Sequence, residues 1–142
     1  MKKIEIDTFL KFRFLSNPHF SPDGTKIAFT VSVPDRETNG YLSDLYLYDL
    51  GKKTVSRVTC SGDAKTWSWT AENTLIFTAA RTAALKKEKE NGTSFLYEIS
   101  PSGGEAQCIT SIPATVTGIR LLPDGRYLLT IRHDNYRDTR KK

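Results

Sequence analysis

Ser94 follows Gly92 and Thr93, the spacing with which a G-x-S-x-G nucleophile elbow opens. An elbow of this kind joins a strand to a helix, and its strained turn lifts the serine hydroxyl toward a carbonyl substrate. Phe95 and Leu96 come next and no second glycine appears, so the motif is incomplete. Serine hydrolysis also needs a histidine base held by a carboxylate. Only His19 and His133 exist, the latter beside Asp134 near the C-terminus. His19 falls in a strand pattern beside a Pro-Asp-Gly turn, and both histidines read as surface or strand-edge residues. Cys60 and Cys108 stand alone, with no His or Cys cluster to hold a metal and no G-x-x-x-x-G-K-[ST] loop to cradle a phosphate. Asp23 and Asp124 occupy equivalent turns, which points to structure rather than paired acid–base work. Trp67 and Trp69 share one strand; one is expected in the core and the other against a neighbour or groove. The residues therefore predict no catalytic, cofactor-binding or metal-binding residue in this chain.

Those residues sit on a pattern that repeats. In Phe20-Ser21-Pro22-Asp23-Gly24 the Asp-Gly pair forms a tight turn, because glycine takes a positive φ without steric cost. Ile27, Phe29, Val31 and Val33 then alternate with the period of a half-buried strand. Leu121-Leu122-Pro123-Asp124-Gly125 and the run to Ile131 repeat this, and Trp69 to Thr78 carries a degenerate copy with Glu72-Asn73 at the turn. Phe20, Trp69 and Leu121 are spaced by 49 and 52 residues. Leu47-Tyr48-Asp49-Leu50 recurs 49 positions later as Leu96-Tyr97-Glu98-Ile99, and Arg57-Val58-Thr59 recurs 51 positions later as Cys108-Ile109-Thr110.

Three landmarks in one order define units of four short strands joined by turns, which makes the sheets antiparallel. Four-stranded antiparallel units at this period predict an all-β fold, a partial β-propeller of about two and a half blades with a short N-terminal helix. Blade one is expected over about residues 17–60, blade two over 66–111 and the first half of blade three over 118–133. The longer insertions, 34–42 and 81–93, both fall between second and third strands. Residues 82–90 suit a short helix that needs packing to persist. Residues 1–16 read as a lead-in, with Asp7 capping a helix over Thr8–Phe12 that packs on the first blade.

Bulk properties exclude several classes. The net charge of +5 comes with a sign-alternating stretch, Lys86 to Glu90, and a basic terminus from Arg137, which reads as a solvated loop and chain end rather than a nucleic-acid face. No apolar run approaches the ~20 residues that span a bilayer, and Glu5, Asp7, Lys11 and Arg13 interrupt any signal-peptide core. Two isolated cysteines suit a reduced, cytoplasmic setting.

The run Leu10-Lys11-Phe12, Leu15 to Gly24, Ile27-Ala28-Phe29 and Ser43 to Leu50 resembles the start of the acylaminoacyl peptidase branch of the prolyl oligopeptidase family. The Ser-Pro-Asp-Gly element alone is shared with Tol-type propellers; the N-terminal lead-in favours the peptidases. The resemblance implies an N-terminal propeller that limits an α/β-hydrolase domain with a Ser-Asp-His triad to short peptides. No hydrolase domain is present in this chain, so the chain alone is expected to hydrolyse nothing. It reads as a fragment, a non-catalytic propeller segment with a peptide substrate and a hydrolase domain or further blades as partners. Its open blade edges make a homo-oligomer an alternative state. A stand-alone interaction module of the Tol or WD-repeat kind is the alternative function.

Overall fold

The computed structural model describes residues 5–132. His133, Asp134 and the basic terminus lie outside the described residues. The chain divides between Lys65 and Thr66 into two compact units.

In the first unit a 3-10 helix, Ile6–Lys11, precedes β1 (Phe14–Phe20), β2 (Lys26–Asp35), β3 (Gly40–Asp49) and β4 (Thr54–Arg57). These form one antiparallel sheet in the order β1-β2-β3-β4. The 3-10 helix carries no side-chain cap, which corrects the expectation for Asp7. Asp7 instead pairs with Arg36, across the chain at the tip of the β2–β3 hairpin. β1 starts at Phe14, earlier than its turn signal suggests, because Phe14, Leu15 and Ser16 pair with Ser32, Val31 and Thr30. Asn17 then takes φ 51°, and the ladder slips a register before resuming at His19.

The segment 34–42 is a hairpin extension rather than a loop. Val33, Pro34 and Asp35 pair with Leu42, Tyr41 and Gly40. Asn39 turns the chain at φ 48°, and the Asp35 carboxylate accepts from the Thr38 N–H (3.0 Å) and hydroxyl (2.6 Å).

The second unit begins with β5 (Trp67–Trp69) and β6 (Leu75–Thr78). The helix α1 (Ala83–Glu90) follows, then β7 (Ser94–Ile99) and β8 (Gln107–Ile112). The strands pair in the order β5-β6-β7-β8, again antiparallel. A last hairpin joins β9 (Thr115–Leu121) to β10 (Tyr127–Arg132), with β9 lying against β5. Two four-stranded blades and the first half of a third make a partial β-propeller. Leu75, Ile76 and Phe77 are all buried, so β6 is covered on both faces. Trp67 and Trp69 are both buried, at 8% and 5% exposure. Residues two apart on a strand share a face, so the pair lies on one side of β5 rather than dividing between the core and a neighbour or groove. Thr82 caps α1 by accepting from the Leu85 N–H at 3.2 Å, and the helix packs against β7.

The three hairpin turns share one hydrogen-bonding scheme, the first being one residue longer than the other two. The N–H of Ser21, Thr70 and Leu122 donates to the carbonyl of Lys26, Thr74 and Arg126 respectively. The same three residues accept through their carbonyls from Gly24, Asn73 and Gly125, at φ 72°, 60° and 82°. Asparagine fills the left-handed position in the degenerate copy because it tolerates that region better than other side chains.

Asp23 locks the first of these turns. Its carboxylate accepts from the Ser21 hydroxyl (2.6 Å), the Thr25 N–H (3.0 Å) and the Thr25 hydroxyl (2.8 Å). These bonds, that from Ser21 foremost, hold its pKa down to about 2 from an ordinary 3.8. A carboxyl lowered in the folded state stabilises fully above its ordinary pKa and loses that contribution as pH falls through the folded value. Carbon-detected NMR should therefore show Asp23 titrating at about pH 2. Asp23→Asn should flatten the fall in stability below the ordinary carboxylate range. A titration midpoint at the unperturbed value would refute this construction.

Candidate functional site

The chemistry-bearing residues named in the sequence do not assemble. Gly92 takes φ 89°, and its N–H donates to Lys89 at the end of α1. The Gly-Thr-Ser run therefore leads from a helix into a strand, the reverse of a nucleophile elbow. Ser94 opens β7, and its hydroxyl accepts from the Val116 N–H at 2.9 Å, tying β9 to the blade. His19 is exposed on β1, with Nδ1 3.2 Å from the Asn17 carbonyl. Asp124 is held at its turn by the Arg126 N–H (3.1 Å) and Nε (2.8 Å), which lower its pKa. Cys60 and Cys108 are free and exposed. Among the described residues no group of three His, Cys, Asp or Glu side chains is placed to hold a metal ion.

Two clusters in the first unit were not visible in the sequence. The first centres on Asp44 of β3, which is 7% exposed. Its Oδ2 accepts from Arg57 at 2.6 Å; its Oδ1 accepts from the Thr59 hydroxyl (2.9 Å) and the Gly62 N–H (3.1 Å). Arg57 Nε donates in turn to the Thr59 carbonyl at 2.8 Å, and the Thr59 hydroxyl accepts from the Leu45 N–H. The hydrogen bond that Arg57 donates to Asp44 pushes the Arg57 pKa further up. This clamp fastens the chain leaving β4 to the middle of the sheet. These contacts join residues of the first unit and tie its strands together.

The second is an open cleft of about 310 Å³ between the 3-10 helix and the β2–β3 tip. Phe9, Leu10, Pro34 and Tyr41 supply its apolar walls, and Asp7, Asp35 and Arg36 its charged rim. Phe9 and Phe14 lie 5.7 Å apart, and both meet Tyr41 edge-on at 6.4 and 6.0 Å. Such tilted and edge-to-face pairs suit the ring quadrupoles. The lead-in thus packs on the first blade through rings. The alternation of Phe12 and Phe14 with basic residues was the available signal.

The arrangement within each unit is that of a scaffold: antiparallel strands with locked turns and exposed edge strands. The comparisons agree with this class. The chain is 30% identical over 133 residues to the uncharacterized peptidase YuxL of Bacillus subtilis strain 168, covering 91% of this chain and 19% of that protein. The β-propeller domain of the Trilobed protease from Pyrococcus furiosus, described as having an open velcro topology, superposes with a TM-score of 0.61. That match has 16% identity and covers 85% of this chain and 34% of that one. Pyrococcus horikoshii acylaminoacyl peptidase gives 0.65 at 18% identity, covering 91% and 20%. An acylaminoacyl peptidase solved with Z-Gly-Gly-Phe-chloromethyl ketone gives 0.66 at 18%, covering 91% and 19%. No protein-family model matches the chain. The likeness is to peptidases and a peptidase propeller, and the chain spans about a fifth of the length of the curated relative it matches.

Proposed function

We propose that this chain is a non-catalytic propeller segment of a prolyl oligopeptidase-like, acylaminoacyl peptidase-like serine peptidase. In this reading it works with an α/β-hydrolase domain and restricts access to short peptides. The observation that carries the reading is the 30% identity to a peptidase along most of the chain, on a propeller fold. The physical rationale is stiffness. Blades closed by backbone ladders, with turns pinned by Ser21, Asp23 and Thr70, deform little, so an opening bounded by them selects by size. No helix among the described residues is long and apolar enough to cross a membrane. The reading places the segment in a soluble, cytoplasmic peptidase.

The test is a chimera in which this chain replaces the matching segment of the Bacillus subtilis peptidase. The chimera should cleave short chromogenic peptides and leave an unfolded protein such as casein intact, while the isolated chain gives no turnover. A chimera that is folded by circular dichroism yet digests casein as readily as a short peptide would overturn the gating role. The exposed outer strand of the second unit favours a second reading, a stand-alone interaction module. In that case the chain should form a defined complex without any hydrolase domain.

A further inference from the structure

We infer that Asn91-Gly92 is a site of spontaneous covalent modification, where the asparagine cyclises onto the glycine nitrogen and ends as aspartate or isoaspartate, at a rate set by the last turn of α1. Asn-Gly pairs occur at 39–40 and 91–92, 52 residues apart, each between the second and third strands of its sheet. Glycine lacks the Cβ that would hinder approach of its nitrogen to the preceding side chain. At Gly92 the fold itself demands this residue. Its φ is 89°, just past the Asn91 C-cap of α1, where a helix commonly closes on a left-handed glycine.

Water is the only co-reactant. The Gly92 nitrogen attacks Asn91 Cγ and forms a new C–N bond. The bond from Cγ to the side-chain nitrogen breaks, and ammonia leaves with the proton that Gly92 gives up. Water then opens the five-membered imide at either carbonyl. One opening gives aspartate; the other gives isoaspartate, whose main chain runs through the former side chain and is one carbon longer.

α1 controls access to the attacking nitrogen. The Gly92 N–H donates to Lys89 at 2.9 Å. The Asn91 N–H donates to Lys87 and Glu88 at 3.2 and 3.1 Å, and the Thr93 N–H to Glu88 at 3.1 Å. Every acceptor is a carbonyl of α1, so the nitrogen is released when this helix frays. α1 has eight residues, and helices this short are marginal by themselves. Gly40 stands in a firmer setting. It pairs with Asp35 in the ladder that joins β2 to β3 along ten residue pairs. The two bonds from Thr38 to Asp35 and the Asp7–Arg36 ion pair brace that tip. Opening is cheapest where few such contacts must break.

The 142-residue chain is incubated at neutral pH and mapped by mass spectrometry, with isoaspartate resolved by electron-transfer fragmentation. Asn91 should convert about tenfold faster than Asn39. In denaturing urea the two should convert alike. Thr82→Ala removes the cap at the far end of α1 and leaves the reacting pair untouched, so it should speed conversion at Asn91 about fivefold. The product carboxylate opposes the negative end of the helix. The added carbon shifts the chain entering β7, so amide exchange at Val116, held by the Ser94 hydroxyl, should quicken as isoaspartate accumulates. Conversion at Asn39 as fast as at Asn91 overturns the inference, as does a rate at Asn91 that ignores Thr82→Ala. So does an Asn91 that stays intact in the folded chain while it converts in urea. The reaction needs no partner domain, so the peptidase reading stands or falls separately.

Discussion

The Asp44→Ala variant should unfold with a free energy lowered by about 3 kcal/mol, within the range for removing one partner of a buried, hydrogen-bonded ion pair. The size follows from what each group does afterwards. Arg57 has half its side chain in water and turns outward, so its stranded charge contributes little. The Gly62 N–H and the Thr59 hydroxyl lose their acceptor beneath the sheet, and each unsatisfied buried group costs about 1–3 kcal/mol. Asp44→Asn keeps an acceptor for those two groups and loses the ionic contact, so it should cost about half as much. Urea unfolding with an unchanged slope reads both. A midpoint shift for Asp44→Ala no larger than that of the exposed Asp35→Ala would show that the clamp carries no stability.

The propeller architecture was legible because its signals are local and repeated. The Pro-Asp-Gly turns and the alternation after them need only neighbouring residues to be read, and the repeat supplied independent copies. Even the degenerate turn at Asn73 was readable, since the conformation constrains the residue type. The clamp was not legible. Its members lie 13 and 15 residues apart, and the second unit has Thr93 and Cys108 where the repeat places counterparts of Asp44 and Arg57. A contact made once across a sheet leaves no periodic trace. For the tryptophans the strand period is the stronger signal: it alone places Trp67 and Trp69 on one face, where both are buried. The extension of β2 and β3 was missed because Pro34, Asp35, Asn39 and Gly40 are turn-formers by composition. Here the ladder runs through most of them, and only 36–39 turn.

Phe77→Ala should cost about 3–5 kcal/mol, the range for emptying a buried aromatic site. Phe77 is 1% exposed at the centre of the second sheet, and its ring stacks on Tyr97 of β7 at 5.9 Å and 26°. Phe77→Leu keeps most of the volume and gives up the ring pair, so it should cost about 1–2 kcal/mol. The first sheet repeats the pair: Phe29 stacks on Tyr46 at 6.1 Å, again as direct cross-strand partners. Phe29 is only half-buried, so Phe29→Ala should cost about 1–2 kcal/mol although the ring geometry is nearly the same. The two alanine variants thus separate burial from stacking. Unequal losses in denaturant unfolding would assign the stability of Phe77 to its enclosure between β5 and β7. Equal losses would assign it to the ring pair, and would mean that the repeated Phe–Tyr contact, rather than the core around it, holds each blade.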